Sequence, residues 1–433
     1  MRKKFLNSYW VALAASIVFF GCAKVETFDL NTPTAENITQ NPTIQELNNL
    51  VTGTESGMRL ALGNYLDDVG VIGREMYRFS GSEPRWTTDL PGASPLDSNG
   101  FYVTNPWGFW YADIKNANLL IEGAGNCKLI DDTQKKGYTG WAKTIIALDM
   151  LMNLNLTYVN GIRTDVANFD KLGPIVSKDD ALNYISTLLD AAKDDLTGSN
   201  IIFPLSSGFD GFNDAAGLIK FNRALAARVA VYRQSWADAL NDLNDSFFSL
   251  DGDFNTGVFY VFSSNTGDQL NAFFIAQNSF GEVRPAHPSY AADIEGNDDR
   301  IGKATLRTQP VSQNNLTSDR DVWVYTSNTA PIPIIRNEEL ILIYAEANIQ
   351  SNDFPTAVSA LNKIRTNHNL PVYSGASTMP ALIDEMLKQR RYSLFCEGHR
   401  WVDLRRYDKL ATLPIDRPGD QVWPQFPLPA LEQ

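Results

Sequence analysis

The chain has 433 residues, 44% of them hydrophobic and 20% charged, with a formal net charge of −13. That is ample material for a large core, and an aromatic content of 11% argues against long disordered stretches. The negative balance repels phosphate backbones and anionic head groups, which excludes nucleic acid as a partner and charge attraction as a hold on membranes.

The first residues read as an address. Arg2, Lys3 and Lys4 precede an apolar run from Tyr9 to Phe20, and "FFGC" ends at Cys22. A basic start, a short apolar core and a small residue at the cut form an export signal over 1–21. The run is short of the roughly 20 residues that span a bilayer, although a membrane anchor is the alternative. Gly21-Cys22 resembles a bacterial lipoprotein cleavage box, in which the cysteine becomes the acylated N-terminus. That marks Cys22 as the lipid attachment residue, with Phe19 and Phe20 departing from the usual pattern. Residues 22–43 then read as a polar tether. Cys127 and Cys396 remain, either as two buried thiols or as a pair. No Cys/His spacing suggests a metal site.

Helical periodicity dominates the rest of the chain. It predicts helices over 44–67, 107–122, 140–159, from Ser177 as N-cap to about 196, over 215–234, and from Trp236. "EELILIYAEANIQSNDFPTAVSALNKIRTNHNLP" reads as two helices around a turn at Asn352-Asp353. Ala345 and Ala357 are 12 apart, as are Ala227 and Ala239. In tetratricopeptide repeats small residues at that separation sit where antiparallel helices come closest. Taken in order, eight helices make four pairs. Trp107, Trp110, Trp141, Trp236 and Trp401 fall on helix patterns and are expected in the core.

Two stretches break the pattern. Residues 68–106 are rich in Gly, Pro, Ser and Asn and predict a long loop, a class that is usually functional. Residues 251–335 contain "GVFYVF" and "DVWVYT" between Asn, Gly and Asp, which predicts short strands and loops.

Catalytic motifs are lacking. There is no GxSxG, P-loop or dinucleotide fingerprint, hence no cofactor signal. The acid pairs Asp67/Asp68, Asp131/Asp132, Asp194/Asp195 and Asp298/Asp299 read as solvated rather than as glycosidase carboxylates held in one cleft. "DGDFNTG" from Asp251 imitates a calcium loop but has Thr where the turn glycine belongs, and reads as a turn. "FCEGHRWVDLRRY" concentrates Glu397, His399, Asp403 and arginines. His399 as a base would need a substrate path, and charges this dense predict a structural junction. Gly398 is expected to end a helix, with Glu397, Arg400, Asp403 and Arg405 pairing locally. Loop aromatics carry the better hypothesis. A sugar offers an apolar C–H face for a flat ring and hydroxyls for polar side chains. Arg85, Trp86, Asn99 and Tyr102 supply that combination, and each ring could equally pin its loop to the body.

In "PIPIIRNEELILIYAEA", "ALNKIR", "LIDEMLKQRRYSLFCEGHRWVDLRRY", "FPLPALE" and the earlier "WYADIKNANLLIEG", the chain resembles the SusD/RagB family across nearly its whole mature length. Gln389 stands where a glutamate is usual. The resemblance implies a mainly α fold: a tetratricopeptide-like right-handed superhelix of about four helix pairs, with an irregular loop and short-strand region. It implies one domain over 22–433, with repeat helices within 44–250 and 336–370, the irregular region over 251–335 and a signature over 380–433. It implies no enzyme and no cofactor, but an outer-membrane lipoprotein that captures oligosaccharide and passes it to a TonB-dependent, SusC-like transporter. It adds Trp323 and Tyr325 to the ligand-binding candidates. The RagB branch leaves a peptide ligand open. A surface glycosidase and a repeat scaffold without a small ligand are the other readings.

Overall fold

The structure is a computed structural model, and residues 35–433 are described; the predicted signal, Cys22 and the first part of the tether lie outside the described residues. After the short helix α1 (Ala35–Gln40), α2 (Ile44–Leu60) starts at a capping box in which Thr43 and Glu46 satisfy each other's backbone amides. The helix expected over 44–67 is two helices, because the chain turns at Ala61 and continues as α3 (Leu62–Ile72). A loop with one helical turn, α4 (Arg85–Thr88), leads to α5 (Phe101–Asn126). That helix begins earlier than its periodicity suggests. Pro106 falls early in it, and Gly100 opens it from an extended conformation. A second capping box, Asp131 with Gln134, starts α6 (Asp132–Thr157). Then come α7 (Lys178–Leu196) with the expected Ser177 cap, α8 (Ala215–Tyr232) and α9 (Trp236–Asp245).

These helices form a consecutive stack. Each of α2, α5, α6, α7, α8 and α9 packs on the next, and α9 packs on α11 (Asn337–Gln350), which packs on α12 (Phe354–Asn367). Ala227, Ala239, Ala345 and Ala357 are fully buried, as their spacing predicts. The turn between α11 and α12 has Asn352 in the left-handed region and Asp353 capping Thr356. Trp107, Trp110, Trp141 and Trp401 are core residues, whereas Trp236 is half-buried. The fold is mainly α, with a superhelical helix stack as the sequence predicts. No helix among the described residues is long and apolar enough to cross a membrane.

Strands are few and come in pairs: β1 (Ile162–Arg163) with β2 (Ile175–Val176), β3 (Gly257–Tyr260) with β6 (Ile332–Arg336), and β4 (Ala304–Gln313) with β5 (Leu316–Val322). All three pairs are antiparallel. Asn314 and Asn315 close the β4–β5 hairpin with φ of 50° and 62°, the geometry of a two-residue turn that matches the strand twist. Strand β5 ends at Val322, so most of "DVWVYT" is not strand. A short helix α10 (Pro288–Asp293) precedes this hairpin, and α13 (Met379–Ser393) and α14 (Arg400–Arg406) come after the repeats. Asp253 accepts from the Asn255 amide, so "DGDFNTG" is a turn. Cys127 and Cys396 are both buried and unpaired.

A candidate ligand-binding face

The loop between α3 and α5, residues 73–100, is pinned from beneath by the C-terminal segment. Arg74 is buried and sends its guanidinium to the carbonyls of Pro91 at 2.9 Å and Pro414 at 3.1 Å. Arg417 donates to Thr87 O and Asn314 O at 2.8 Å, and Trp423 Nε1 donates to Asp89 O at 2.7 Å. Gly92, at φ +97°, passes so close to this segment that a Cβ would lie 2.2 Å from Gln421 O. Gly92→Ala is therefore expected to destabilise by about 1–3 kcal/mol through left-handed strain and this clash. Protease-accessibility mapping should show the new cleavage within 73–100 and not in the helix stack.

On this base the sequence candidates separate. Tyr102 is fully buried; its hydroxyl donates to Asp89 Oδ2 and accepts from the Asp97 amide, both at 2.7 Å. Its ring is therefore not presented to solvent. Trp86 is nearly buried, edge-on to Phe101 at 4.7 Å, with the Arg78 guanidinium 5.9 Å away over its ring. Arg85 is half-exposed, lies 4.7 Å over Phe101 and pairs with Glu83 at 2.6 Å. The hydrogen bonds from Arg85 hold the Glu83 carboxyl below its ordinary value. Asn99 is exposed at the rim.

A second loop completes the ledge. Phe280 is 90% exposed beside Gly281, at φ +81°. Next to it Glu282 pairs with Arg78 and accepts from Ser80 Oγ. Burial alone would raise the Glu282 carboxyl, but Ser80 and Arg78 outweigh it and hold it low. Gln313 bonds the Ser80 backbone on both sides, and Asn314 Nδ2 donates to Thr87 Oγ1 at 2.7 Å. The hairpin tip thus locks the two loops together. The ledge presents Arg85, Asn99, Phe101 and Phe280. Sequence reasoning missed Phe280, since "NSFGEV" carries no signal beyond a turn glycine.

Trp323 and Tyr325 are not on this ledge. Trp323 is half-buried at the base of the hairpin, where its amide donates to Lys303 O at 2.7 Å and its ring lies 6.1 Å from Phe274. The seven residues of β5 put roughly 20 Å between hairpin base and tip. Tyr325 is buried against Phe273, and its hydroxyl donates to Cys396 O.

The dense charged stretch is architecture of longer range than expected. Glu397 pairs with Arg336 of β6 at 2.9 Å, and Asp403 with Arg390 of α13 at 2.6 Å. Arg400 donates to Gly73 O, and Arg405 to Asn155 O and Pro424 O. Only Asp403–Arg406 is a local pair. Helix α13 ends at Ser393, so Gly398, at φ +89°, is the hinge before α14 and not a helix terminus. Burial pushes His399 down to about 4 against the pull of Glu339, so its ring is neutral and enclosed at pH 7. Gln389 accepts from Arg300 and donates to Glu385, a double role that a carboxylate there could not fill.

Known proteins share both the signature and the fold. Residues 292–420 match the SusD family. The fold is similar to that of a SusD superfamily protein from Bacteroides vulgatus, with a TM-score of 0.67 and 16% identity over 90% of this chain and 96% of that one. A putative sugar binding protein from Bacteroides vulgatus gives 0.63 and 18%, over 85% and 87% of the two chains. Surface glycan-binding protein A from Bacteroides uniformis gives 0.62 and 15%, over 86% and 90%. No curated protein sequence matches the chain. Residues 292–420 thus carry the SusD family signature, and over nine-tenths of its length the chain has the fold of SusD superfamily proteins.

Proposed function

We propose that the protein is a cell-surface nutrient-binding lipoprotein that captures oligosaccharide without making or breaking a bond. In this reading residues 22–433 form one domain, and Cys22 carries the acyl chains that hold it to the outer membrane. A TonB-dependent, SusC-like transporter receives the cargo, with the convex helix stack as the contact surface. The observation that carries the ligand class is the ledge. The exposed Phe280 ring on one loop, with the half-exposed Arg85 and the exposed Asn99 on the other, supplies the ring and polar groups that a sugar's C–H face and hydroxyls require. Two fold neighbours, one a putative sugar binding protein and one a surface glycan-binding protein, support the same class. Trp86 and Tyr102 serve from below, and Trp323 adds a half-buried ring at the hairpin base.

The test is a titration of the wild-type chain and of Arg85→Ala/Phe280→Ala against panels of oligosaccharides and of short peptides. The wild-type chain is expected to bind a neutral glycan, and the double variant to bind it at least about tenfold more weakly. Unchanged glycan affinity in the variant would remove the ledge from the reading. Binding confined to the peptide panel would favour the RagB-type alternative.

A further inference from the structure

A second concavity lies away from the ledge and shares none of the four residues that the ledge presents. A cleft of about 310 Å³ sits between the turn before β3, strand β6 and the end of α12. Its walls include Phe254, Phe259, Tyr325, Asn367 and His368. It opens into a shallower depression of about 450 Å³ that shares Phe254, Asn255 and Asn367. Both volumes fall in the range of small-ligand sites, about 300–1,000 Å³.

Charge decides what could occupy it. Every ionic group on the cleft walls is already committed. Arg336 lies between Glu338 and Glu397. Lys303 Nζ donates to the carbonyls of Tyr392 and Ser393, at 3.0 and 2.6 Å. His368 bridges Asp299 and Glu338, both at 2.8 Å. A charged ligand would have to break these pairs, and a fully apolar one would strip water from them. The uncommitted groups are of another kind. The Asn255 and Asn367 side chains are exposed and make no hydrogen bond among the described residues. Phe259 points outward from β3, where buried and half-buried positions alternate, and Phe254 is half-buried with its ring 6.2 Å from His368.

We infer that this cleft is a second binding site, for a neutral, hydroxyl-rich ring such as one sugar unit of an oligosaccharide. Phe254 and Phe259 take the apolar face, and Asn255 and Asn367 take the hydroxyls. The ligand class rests on the proposed function; the site is additional to it.

The experiment uses the full mature chain in the Arg85→Ala/Phe280→Ala background, which silences the ledge. Maltoheptaose, cellohexaose and xylohexaose are titrated calorimetrically, with a hexagalacturonate as charged control. One equivalent of a neutral probe is expected to bind, and the hexagalacturonate is not. Adding Asn255→Ala/Asn367→Ala, both at exposed positions and checked by circular dichroism, is expected to weaken that binding about tenfold, as is Phe259→Ala. If no neutral probe binds the ledge-silenced chain, or if the cleft variants bind like their parent, the inference is overturned. Failure of the ledge reading looks different: the ledge-silenced chain would then bind as the wild type does.

Discussion

Replacing Arg336 with leucine should leave the protein about 3–5 kcal/mol less stable, the cost of breaking a buried ion pair from one side. Arg336 is buried and holds two carboxylates, Glu338 and Glu397, while also donating to Ser393 O at 2.7 Å. Burial alone would raise the Glu338 carboxyl; Arg336, with His368 and Lys303, holds it well below the ordinary range. Without the guanidinium those negative charges stay enclosed and uncompensated. The effect should appear as a lower urea midpoint at unchanged slope. Adding Glu338→Gln/Glu397→Gln should recover part of the loss. A loss under about 1 kcal/mol in the single variant would mean that water or a rearranged Lys303 replaces the arginine.

Asp68→Asn is expected to act in the opposite sense and to depend on pH. Asp68 is completely buried in α3, and neither carboxyl oxygen has a hydrogen-bond partner. Burial first, and then the neighbouring charge of Asp67, push its pKa well above 3.8. The folded chain therefore keeps a proton that the unfolded chain releases. Stability from this group is complete at low pH and falls as pH rises above about 4, by about 1.4 kcal/mol per unit until the folded carboxyl ionises. Asparagine is nearly isosteric and cannot ionise, so the variant loses that slope. Its advantage over wild type should grow between pH 5 and pH 7. His399 works the other way. Its folded pKa of about 4, below the usual 6.5, makes stability rise across that interval. It is present in both proteins, so the difference between them isolates Asp68. A difference independent of pH would show that Asp68 is charged in the fold.

The helix stack was legible because its signals are local. Ser177 stands before an amphipathic run, and the alanine pairs mark close approaches. Where the reading failed, a local signal was overruled or passed over. Pro106 reads as a breaker, yet α5 runs through it from Phe101. The Asp131–Gln134 capping box starts α6 in a polar stretch that shows no apolar period. The long loop was visible from its Gly and Pro content, but not which of its rings face water. Tyr102 goes inward because Asp89 and the Asp97 amide wait for its hydroxyl, and Phe280 stays outside because its turn is pinned through Glu282 to Arg78. Neither fact is written in the neighbouring residues. The charged junction failed in the same way. Its partners, from Gly73 to Pro424, come from distant parts of the chain, and spacing arguments see only nearby ones.

The clasp beneath the 73–100 loop has a consequence for assembly. Arg417 closes it by reaching Thr87 across a sequence separation of 330 residues. During synthesis or export the loop therefore exists for hundreds of residues without the groups that shape it. The shape of this loop belongs to the finished chain and cannot be carried by an N-terminal fragment, however well the early helices form.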